Sequence, residues 1–241
     1  MSQGNPYPDN SWFWPVLDEY RDVVGRNLEE AEIDWAKASG RLTDADTTEY
    51  IASKRYTASP KSQTGVHQML ALMESFFHPS EKFTYLEFGT CFGTTLAYIL
   101  AYFKNAHAIG VEVTEARFDM TRWLVGRMSS QWNLESRVKL YKSSILDVPL
   151  SSNSIDVVFM DTDHKYPNDL EYIMYLLNSG VLRANFLFIG DDPIHTGTKK
   201  SREHFIAEQS SKYKIITRPD KNLWWFFRYK SRTPHLRWRS T

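Results

Sequence analysis

The sequence predicts an α/β fold in which a mostly parallel β-sheet carries helices on both faces and one late strand runs antiparallel. Between residues 83 and 229, apolar segments of strand length alternate with amphipathic segments of helix length. This alternation is typical of a parallel sheet built from strand-helix-strand units. The last two strand segments flank the turn sequence PDKN at 219–222, which predicts a terminal hairpin and therefore an antiparallel strand.

The predicted elements follow one another along residues 61–241, which are assigned to one α/β domain. The first strand, FTYLEF, is a short apolar run, whereas the helices carry apolar residues at helical spacing. The predicted strands are 83–88, 107–113, 137–142, 155–160, 185–190, 212–218 and 222–229. The predicted helices are 66–77, 93–104, 115–130, 167–179 and 198–210.

Residues 1–60 have a helical and charged sequence pattern, unlike the alternating pattern that follows. They are predicted to form a helical extension, or lid, that covers the α/β domain. Apolar residues recur at helical spacing over 15–38, and a second helix is predicted over 44–55, at the capping sequence TDAD. We expect the aromatic residues at 12–14 to close over an apolar or sugar-bearing molecule, or else to pack in the core or against another subunit. The N-terminal helices are therefore the predicted contact of a homo-oligomer.

Composition excludes several classes of function. The chain has 29 Lys and Arg residues against 29 Asp and Glu residues, so no net field attracts nucleic acid or an anionic membrane. Its first residues do not resemble a signal peptide and no apolar run is long enough to span a bilayer, which predicts a cytoplasmic protein without membrane partners. The single cysteine, Cys91, excludes an internal disulfide and a cysteine-based zinc site.

A glycine turn follows the first strand in the sequence YLEFGTCFGTT, residues 85–95. Ligands of such sheets bind at the carboxyl ends of the strands, and dinucleotides require a G-x-G-x-x-G turn there. Here Gly89 and Gly93 have a G-x-x-x-G spacing, and the carboxylate of Glu87 would repel a pyrophosphate. The turn therefore argues against a nicotinamide-dependent dehydrogenase.

Acidic residues lie at the carboxyl ends of four predicted strands. Glu112 ends the second strand, 23 positions after Gly89, where a carboxylate can accept hydrogen bonds from both hydroxyls of a ribose. The other strand-end residues are Glu87 near the end of the first strand, Asp161, Asp163 and His164 after the fourth, and Asp191 and Asp192 after the fifth. Because these ends meet at one edge of a parallel sheet, we expect the acids to converge on one cleft.

These features resemble the class I S-adenosylmethionine-dependent methyltransferases over about residues 60–230. The resemblance is carried by EFGTCFG at 87–93, by Glu112 and by the two later acidic strand ends. MDTDHKY at 160–166, with IGDDP at 189–193, is similar to the branch that contains catechol O-methyltransferase and the macrolide-sugar O-methyltransferases, many of which bind magnesium. The resemblance implies a Rossmann-like, seven-stranded sheet with the last-placed strand antiparallel. It also implies O-methylation of a hydroxyl on a small molecule or natural product.

The resemblance implies which residues hold S-adenosylmethionine. This cofactor has no phosphate, so the turn needs backbone that is free of side chains beside the methionine part of the cofactor. A nearby acid suits the ammonium and sulfonium charges of the cofactor. Where the family often has Gly-Asp to contact the adenine amino group, this chain has Ser143 and Ser144, and a serine hydroxyl can accept the same hydrogen bond. The implied cofactor-binding residues are Glu87, Gly89, Thr90, Gly93, Glu112, Ser144 and Asp161.

The catalytic prediction concerns His164 and the acids around it. The resembling sugar methyltransferases keep a histidine here to deprotonate the acceptor hydroxyl, which implies that His164 is the general base. Asp161 is implied to touch the metal, the substrate or only water. Three converging carboxylates repel one another, so either their proton affinities rise or a cation neutralises them. A cation is the simpler solution, and Mg²⁺ on Asp161, Asp191 and Asp192 is the prediction.

Several alternatives remain at this stage. The acids can act as hydrogen-bond acceptors in a metal-free site, and a metal-independent N-methyltransferase of a small molecule would share the cofactor. A non-catalytic binding protein can also use this fold, because fold does not fix function. Nucleic-acid amino methyltransferases resemble one another in an [N/D]-P-P-[Y/F] motif after strand four, where this chain has DTDH at 161–164. The predicted partner is therefore a small-molecule acceptor and not a nucleic acid.

Overall fold

A computed structural model describes residues 63–91, 93–218 and 223–228 of the chain. The strands are β1 Thr84–Phe88, β2 His107–Glu112, β3 Val138–Lys142, β4 Ile155–Met160, β5 Leu182–Asp191, β6 Tyr213–Arg218 and β7 Leu223–Arg228. The helices are α1 Gln63–Glu74, α2 Thr94–Tyr102, α3 Glu115–Trp132, α4 Asn168–Asn178 and α5 Thr196–Gln209, with a 3-10 turn at Ile145–Asp147. The predicted helical extension over 1–60 lies outside the described residues, as does the domain boundary next to it, and both stay predictions.

The seven strands form one sheet in the order β3-β2-β1-β4-β5-β7-β6. The pairs from β3 through to β5 are parallel, whereas β7 pairs antiparallel with both β5 and β6. Helix α2 packs against α3 and helix α4 packs against α5. Right-handed crossovers, the rule for parallel strands, are expected to place these two pairs on opposite faces of the sheet. The predicted fold class is confirmed, including the terminal hairpin and the antiparallel strand.

The core lies on both faces of the central strands, as expected when helices cover a parallel sheet. Residues 157–160 of β4 and 186–189 of β5 are buried, so each of these strands reads as a continuous apolar run. An aromatic cluster extends this core to the hairpin, where the rings of Phe188 and Phe226 stack with centroids 4.7 Å apart. The buried side chains of 223–227 therefore anchor the antiparallel strand to its parallel neighbour.

The fifth strand begins earlier than the predicted 185–190. Leu182 pairs with Ile155, and a register shift then separates this pair from the pair of Leu187 with Val157. Residues 183–185 are exposed inside this irregular stretch, so no apolar signal marked them as strand. Among residues 63–91, 93–218 and 223–228, no helix has the length and apolarity needed to cross a membrane.

Candidate active site

The predicted strand-end acids meet at one edge of the sheet. Glu112 is the last residue of β2, Asp191 is the last residue of β5, and Asp161 follows directly after β4. The first strand lies between β2 and β4, which is where the strand order reverses. Ligands of open α/β sheets bind beside this switch point, so the carboxyl ends of these strands form the candidate site.

Gly89 brings the turn after β1 into contact with the loop after β4. Its φ angle is +83°, and a Cβ atom there would lie 1.6 Å from the backbone oxygen of Asp161. The N–H of Asp161 in turn donates to the oxygen of Phe88 over 3.1 Å. Only glycine has both the conformation and the size for this position. The predicted cofactor turn and the predicted catalytic loop are therefore adjacent.

Gly93 and Thr90 pack the same turn against α3. Gly93 has a φ of +73°, and a Cβ atom there would lie 2.8 Å from Cγ2 of Thr121. The hydroxyl of Thr121 donates to the oxygen of Cys91 over 3.0 Å and lies 3.2 Å from the hydroxyl of Thr90. The buried Thr90 side chain is thus directed at α3, where it supports the turn.

Glu112 organises the turn through both carboxylate oxygens. Oε2 accepts the N–H of Cys91 over 3.0 Å, and Oε1 accepts the N–H of Thr114 over 2.9 Å. The residue is only 4% exposed. Each carboxylate oxygen can accept a second hydrogen bond, which is the capacity that two ribose hydroxyls require. The strand-two acid therefore fixes the shape of the turn in addition to the binding role predicted for it.

Glu87 is a buried carboxyl that holds its proton unusually tightly. Burial raises the pKa of Glu87 to about 8, and the charges of Asp161 and Glu112 also raise it, against the opposing effect of a hydrogen bond from Tyr85. In that bond the Tyr85 hydroxyl donates to Oε2 over 2.8 Å. Near pH 7 the carboxyl is therefore protonated, and a cation bound beside it would lower its pKa and favour the predicted negative charge.

Ser144 lies beyond β3, next to the end of β2. The N–H of Ser143 donates to the backbone oxygen of Glu112 over 3.1 Å, which joins the two strand ends. The hydroxyl of Ser144 accepts the N–H of Leu146 over 3.3 Å and so caps the 3-10 turn. Its predicted contact with adenine stays a prediction, and its local role is that of a capping serine.

His164 lies between two of the predicted acids. Its Nε2 atom is 3.4 Å from Oδ1 of Asp161 and 3.5 Å from Oδ2 of Asp192. Burial lowers the pKa of His164, but the hydrogen bond and charge of Asp161, with the charges of Asp192 and Asp169, outweigh it and raise the pKa to about 8. The imidazole is thus a cation near pH 7, and above pH 8 it becomes a neutral base.

The opposite edge of the His164 ring contacts Thr198, which links it to Asp169, and neither residue was predicted from the sequence. Nδ1 lies 3.2 Å from the hydroxyl of Thr198, and that hydroxyl donates to Oδ2 of Asp169 over 3.2 Å. Asp169 lies in the first turn of α4, where acids are common for electrostatic reasons, and Thr198 lies near the start of α5. Neither position carries a spacing signal, so only the fold reveals this contact.

The predicted magnesium site is not supported by the structure. Within the described ranges, no group of three or more His, Cys, Asp or Glu side chains is placed to hold a metal ion. Nε2 of the His164 imidazole instead lies 3.4 Å from Asp161 and 3.5 Å from Asp192, so a histidine contacts two of the three predicted ligands. Burial and the charges of Asp161 and Asp192 also raise the pKa of Asp191 well above its usual range. The imidazole of His164 thus relieves part of the repulsion between the carboxylates.

Solved structures with similar folds include methyltransferases. A methyltransferase from Geobacter sulfurreducens is 18% identical with a TM-score of 0.56, and the match covers 82% of this chain and 96% of that one. An O-methyltransferase from Bacillus cereus in complex with SAH is 15% identical with a TM-score of 0.52, covering 81% and 96%. A SAM-dependent methyltransferase from Aquifex aeolicus is 17% identical with a TM-score of 0.53, covering 73% and 96%.

The chain therefore has the fold of the class I S-adenosylmethionine-dependent methyltransferases. Identities this low establish the fold alone, and the reaction has to be argued from the site. No family model matches the sequence, and no curated protein does.

Proposed function

We propose that this protein is an S-adenosylmethionine-dependent methyltransferase that methylates a hydroxyl group of a small molecule, with His164 as the general base. The observation that carries the proposal is the contact of Gly89 with the backbone of Asp161. This contact brings the glycine turn beside the loop that presents His164, so a cofactor at the turn and an acceptor at the histidine would share one cleft.

The residues at the β1 and β2 ends fit the cofactor by their chemistry. Glu112 has hydrogen-bonding capacity for ribose hydroxyls, and the buried Glu87 carboxyl gains its charge beside a cation. When bound, S-adenosylmethionine supplies a methyl group on a sulfonium. Hydrogen bonds to Glu112 and Thr121 hold the backbone of Cys91 in this turn.

His164 supplies the proton acceptor. In methyl transfer a C–S bond breaks, a C–O bond forms and the hydroxyl proton must leave. Nε2 of neutral His164 would take this proton, and the resulting imidazolium is stabilised by Asp161 and Asp192 at 3.4 and 3.5 Å. Magnesium assistance is the part of the sequence-based prediction that this geometry favours least, because the histidine lies between these ligands.

Cofactor binding is tested by calorimetry with S-adenosylhomocysteine, the demethylated product. We expect micromolar affinity, about −8 kcal/mol. Glu112→Gln keeps the shape of the side chain but replaces one acceptor oxygen by a donor, so it should weaken binding by about 1 to 3 kcal/mol. Glu115→Gln is the matched control, because Glu115 is exposed and pairs with Lys142 on the surface. Equal affinity in the wild type and the Glu112 variant would remove Glu112 from the cofactor site.

The reaction is tested by screening hydroxylated small molecules, and matched amines, with methyl-labelled cofactor in the presence of magnesium or a chelator. Label on a hydroxyl supports the proposal, whereas label only on amines assigns an N-methyltransferase. Tight cofactor binding without any transfer across a broad panel would instead favour a non-catalytic binding protein on this fold.

A further inference from the structure

A chain of side-chain hydrogen bonds leads from the protein interior to His164. Asp169 is fully buried, with 0% exposure, at the start of α4. Its Oδ1 atom accepts the hydroxyl of Thr162 over 2.6 Å, and Oδ2 accepts the hydroxyl of Thr198 over 3.2 Å. The Thr198 oxygen also lies 3.2 Å from Nδ1 of His164. Thr198 therefore connects a buried carboxylate to one of the two ring nitrogens.

The carboxylate dictates the direction of these hydrogen bonds. An ionised carboxylate only accepts, so the single proton of the Thr198 hydroxyl is directed at Oδ2 of Asp169. The Thr198 oxygen can then only accept from the ring, which requires a hydrogen on Nδ1 of His164. In the neutral imidazole this bond places the lone pair on Nε2, against the competing attraction of Asp161 and Asp192, whose carboxylate oxygens lie 3.4 and 3.5 Å from that atom and would accept a hydrogen there.

We propose that Asp169, acting through Thr198, is a positioning residue that holds His164 in the Nδ1–H tautomer and so keeps Nε2 as the proton-accepting atom. The proposal rests on the proposed role of His164 as the base, and it adds the residues that decide which nitrogen performs this role. Without them the neutral imidazole could place its hydrogen on Nε2, where the ring cannot accept a proton from the acceptor hydroxyl.

The first turn of α5 fixes the backbone of His164 as well as its ring. A Cβ atom on Gly197 would lie 1.8 Å from the backbone oxygen of His164, so the loop packs directly on this turn. His164 itself has a φ of +55°, a left-handed conformation that is uncommon outside glycine. Thr198 follows Gly197 in the chain, so the same turn constrains the position of the histidine and the orientation of its hydrogen bond.

The test reads the tautomer directly. With ¹⁵N-labelled histidine, nitrogen-proton correlation spectra above pH 8 distinguish Nδ1–H from Nε2–H, and the spectrum of His164→Gln assigns the signal. We expect Nδ1–H in the wild type. In Asp169→Asn the amide can donate to Thr198, which frees the Thr198 hydroxyl to donate to Nδ1 and shifts the ring towards Nε2–H. An Nε2–H wild type, or an Asp169→Asn variant with an unchanged tautomer, would overturn the proposal.

Variants of Thr198 keep the test decisive if Asp169→Asn does not fold. Thr198→Val preserves the shape of the side chain but removes the acceptor, so the preference for Nδ1–H should be lost. Thr198→Ser restores the hydroxyl and should restore the tautomer, which a purely structural role in packing does not predict. Thr196→Val is the control, because Thr196 is exposed in the same turn. A tautomer that is unchanged in Thr198→Val contradicts the proposal.

A kinetic measurement separates this proposal from the proposed function. For the acceptor identified in the methyl-transfer screen, Asp169→Asn should lower kcat by about 10²-fold to 10⁴-fold. The cofactor KM and the calorimetric affinity for S-adenosylhomocysteine should stay within about twofold of the wild-type values. Neither Asp169 nor Thr198 lies at the ends of β1 and β2, where the cofactor is proposed to bind. Full kcat in a variant whose tautomer has shifted would overturn the positioning role. If the wild type transfers no methyl group, the proposed function fails. The tautomer measured by NMR still tests the proposed direction of the hydrogen bonds between Asp169, Thr198 and His164.

Discussion

On the β1–β2 side of the candidate active site, main-chain groups hold the functional residues in place, whereas on the β4–β5 side the side chains hold one another. Glu112 accepts two backbone N–H groups, and Gly89 packs on backbone atoms. His164 instead depends on Asp161, Asp192 and Thr198, which lie in three different segments. We therefore expect the β1–β2 side to respond most to mutations that change side-chain size. The β4–β5 side should respond most to mutations that change charge or hydrogen-bond direction.

The largest effect is expected when shape is changed on the β1–β2 side. Gly89→Ala places Cβ 1.6 Å from the oxygen of Asp161 and adds the strain of a positive φ, so we expect a loss of about 3 to 5 kcal/mol in the free energy of unfolding. Gly180→Ala is the matched control, because Gly180 has a φ of +73° with nothing within 4 Å. The control should lose only about 1 to 2 kcal/mol in urea denaturation. Equal losses would mean that the contact between the two sides contributes nothing.

The contrast between the two sides also explains what the sequence could predict. Strand length, glycine spacing and the strand-end position of Glu112 are local features, and they predicted the sheet, the glycine turn and the shared edge. The pairing of Thr198 with Asp169 joins two helix starts across 29 positions of the chain. No local pattern encodes such a contact, and both residues have ordinary roles at helix starts.

Charge was the second property that the sequence could not determine. The sequence predicted an ionised Glu87 and a cation among Asp161, Asp191 and Asp192. Burial instead raises the pKa of Glu87 to about 8, and the pKa of His164 also rises to about 8 because the carboxylates outweigh its burial. These shifts depend on depth and on distances across strands, which are properties of the folded chain.

Removal of the base is expected to have the next largest effect, and only on turnover. His164→Ala should lower kcat by about 10²-fold to 10⁴-fold while S-adenosylhomocysteine binds normally. His195→Ala is the control, because its exposed ring lies 5.2 Å from that of His164. Wild-type kcat should rise with pH and level off above about 8, where His164 loses its proton. If His195→Ala loses turnover and His164→Ala keeps it, the base is the neighbouring histidine.

A smaller effect should appear in the pH dependence of cofactor binding. Glu87 has a pKa of about 8 in the folded protein, and the ionised form attracts the cationic cofactor, so binding should drive proton release below pH 8. Affinity for S-adenosylmethionine should therefore rise from pH 7 towards a plateau above pH 8, by about tenfold. Glu87→Gln removes this titration, and calorimetry at several pH values should show a flatter profile. An identical profile in the variant would assign the pH dependence to another group.

Removal of divalent metal should have the smallest effect of all. On the β4–β5 side, Nε2 of His164 lies 3.4 Å from Asp161 and 3.5 Å from Asp192, so the imidazole can balance the carboxylate charge in the position where a metal would sit. We expect kcat to stay within about twofold after exhaustive chelation, with cofactor affinity followed in parallel. His164→Ala is the informative partner experiment, because removal of the imidazole leaves the carboxylates without their cation and could create magnesium dependence. Wild-type turnover that collapses in chelator and returns with added magnesium would instead restore the predicted site on Asp161, Asp191 and Asp192. In that case His164 must move away from the acids before the reaction begins.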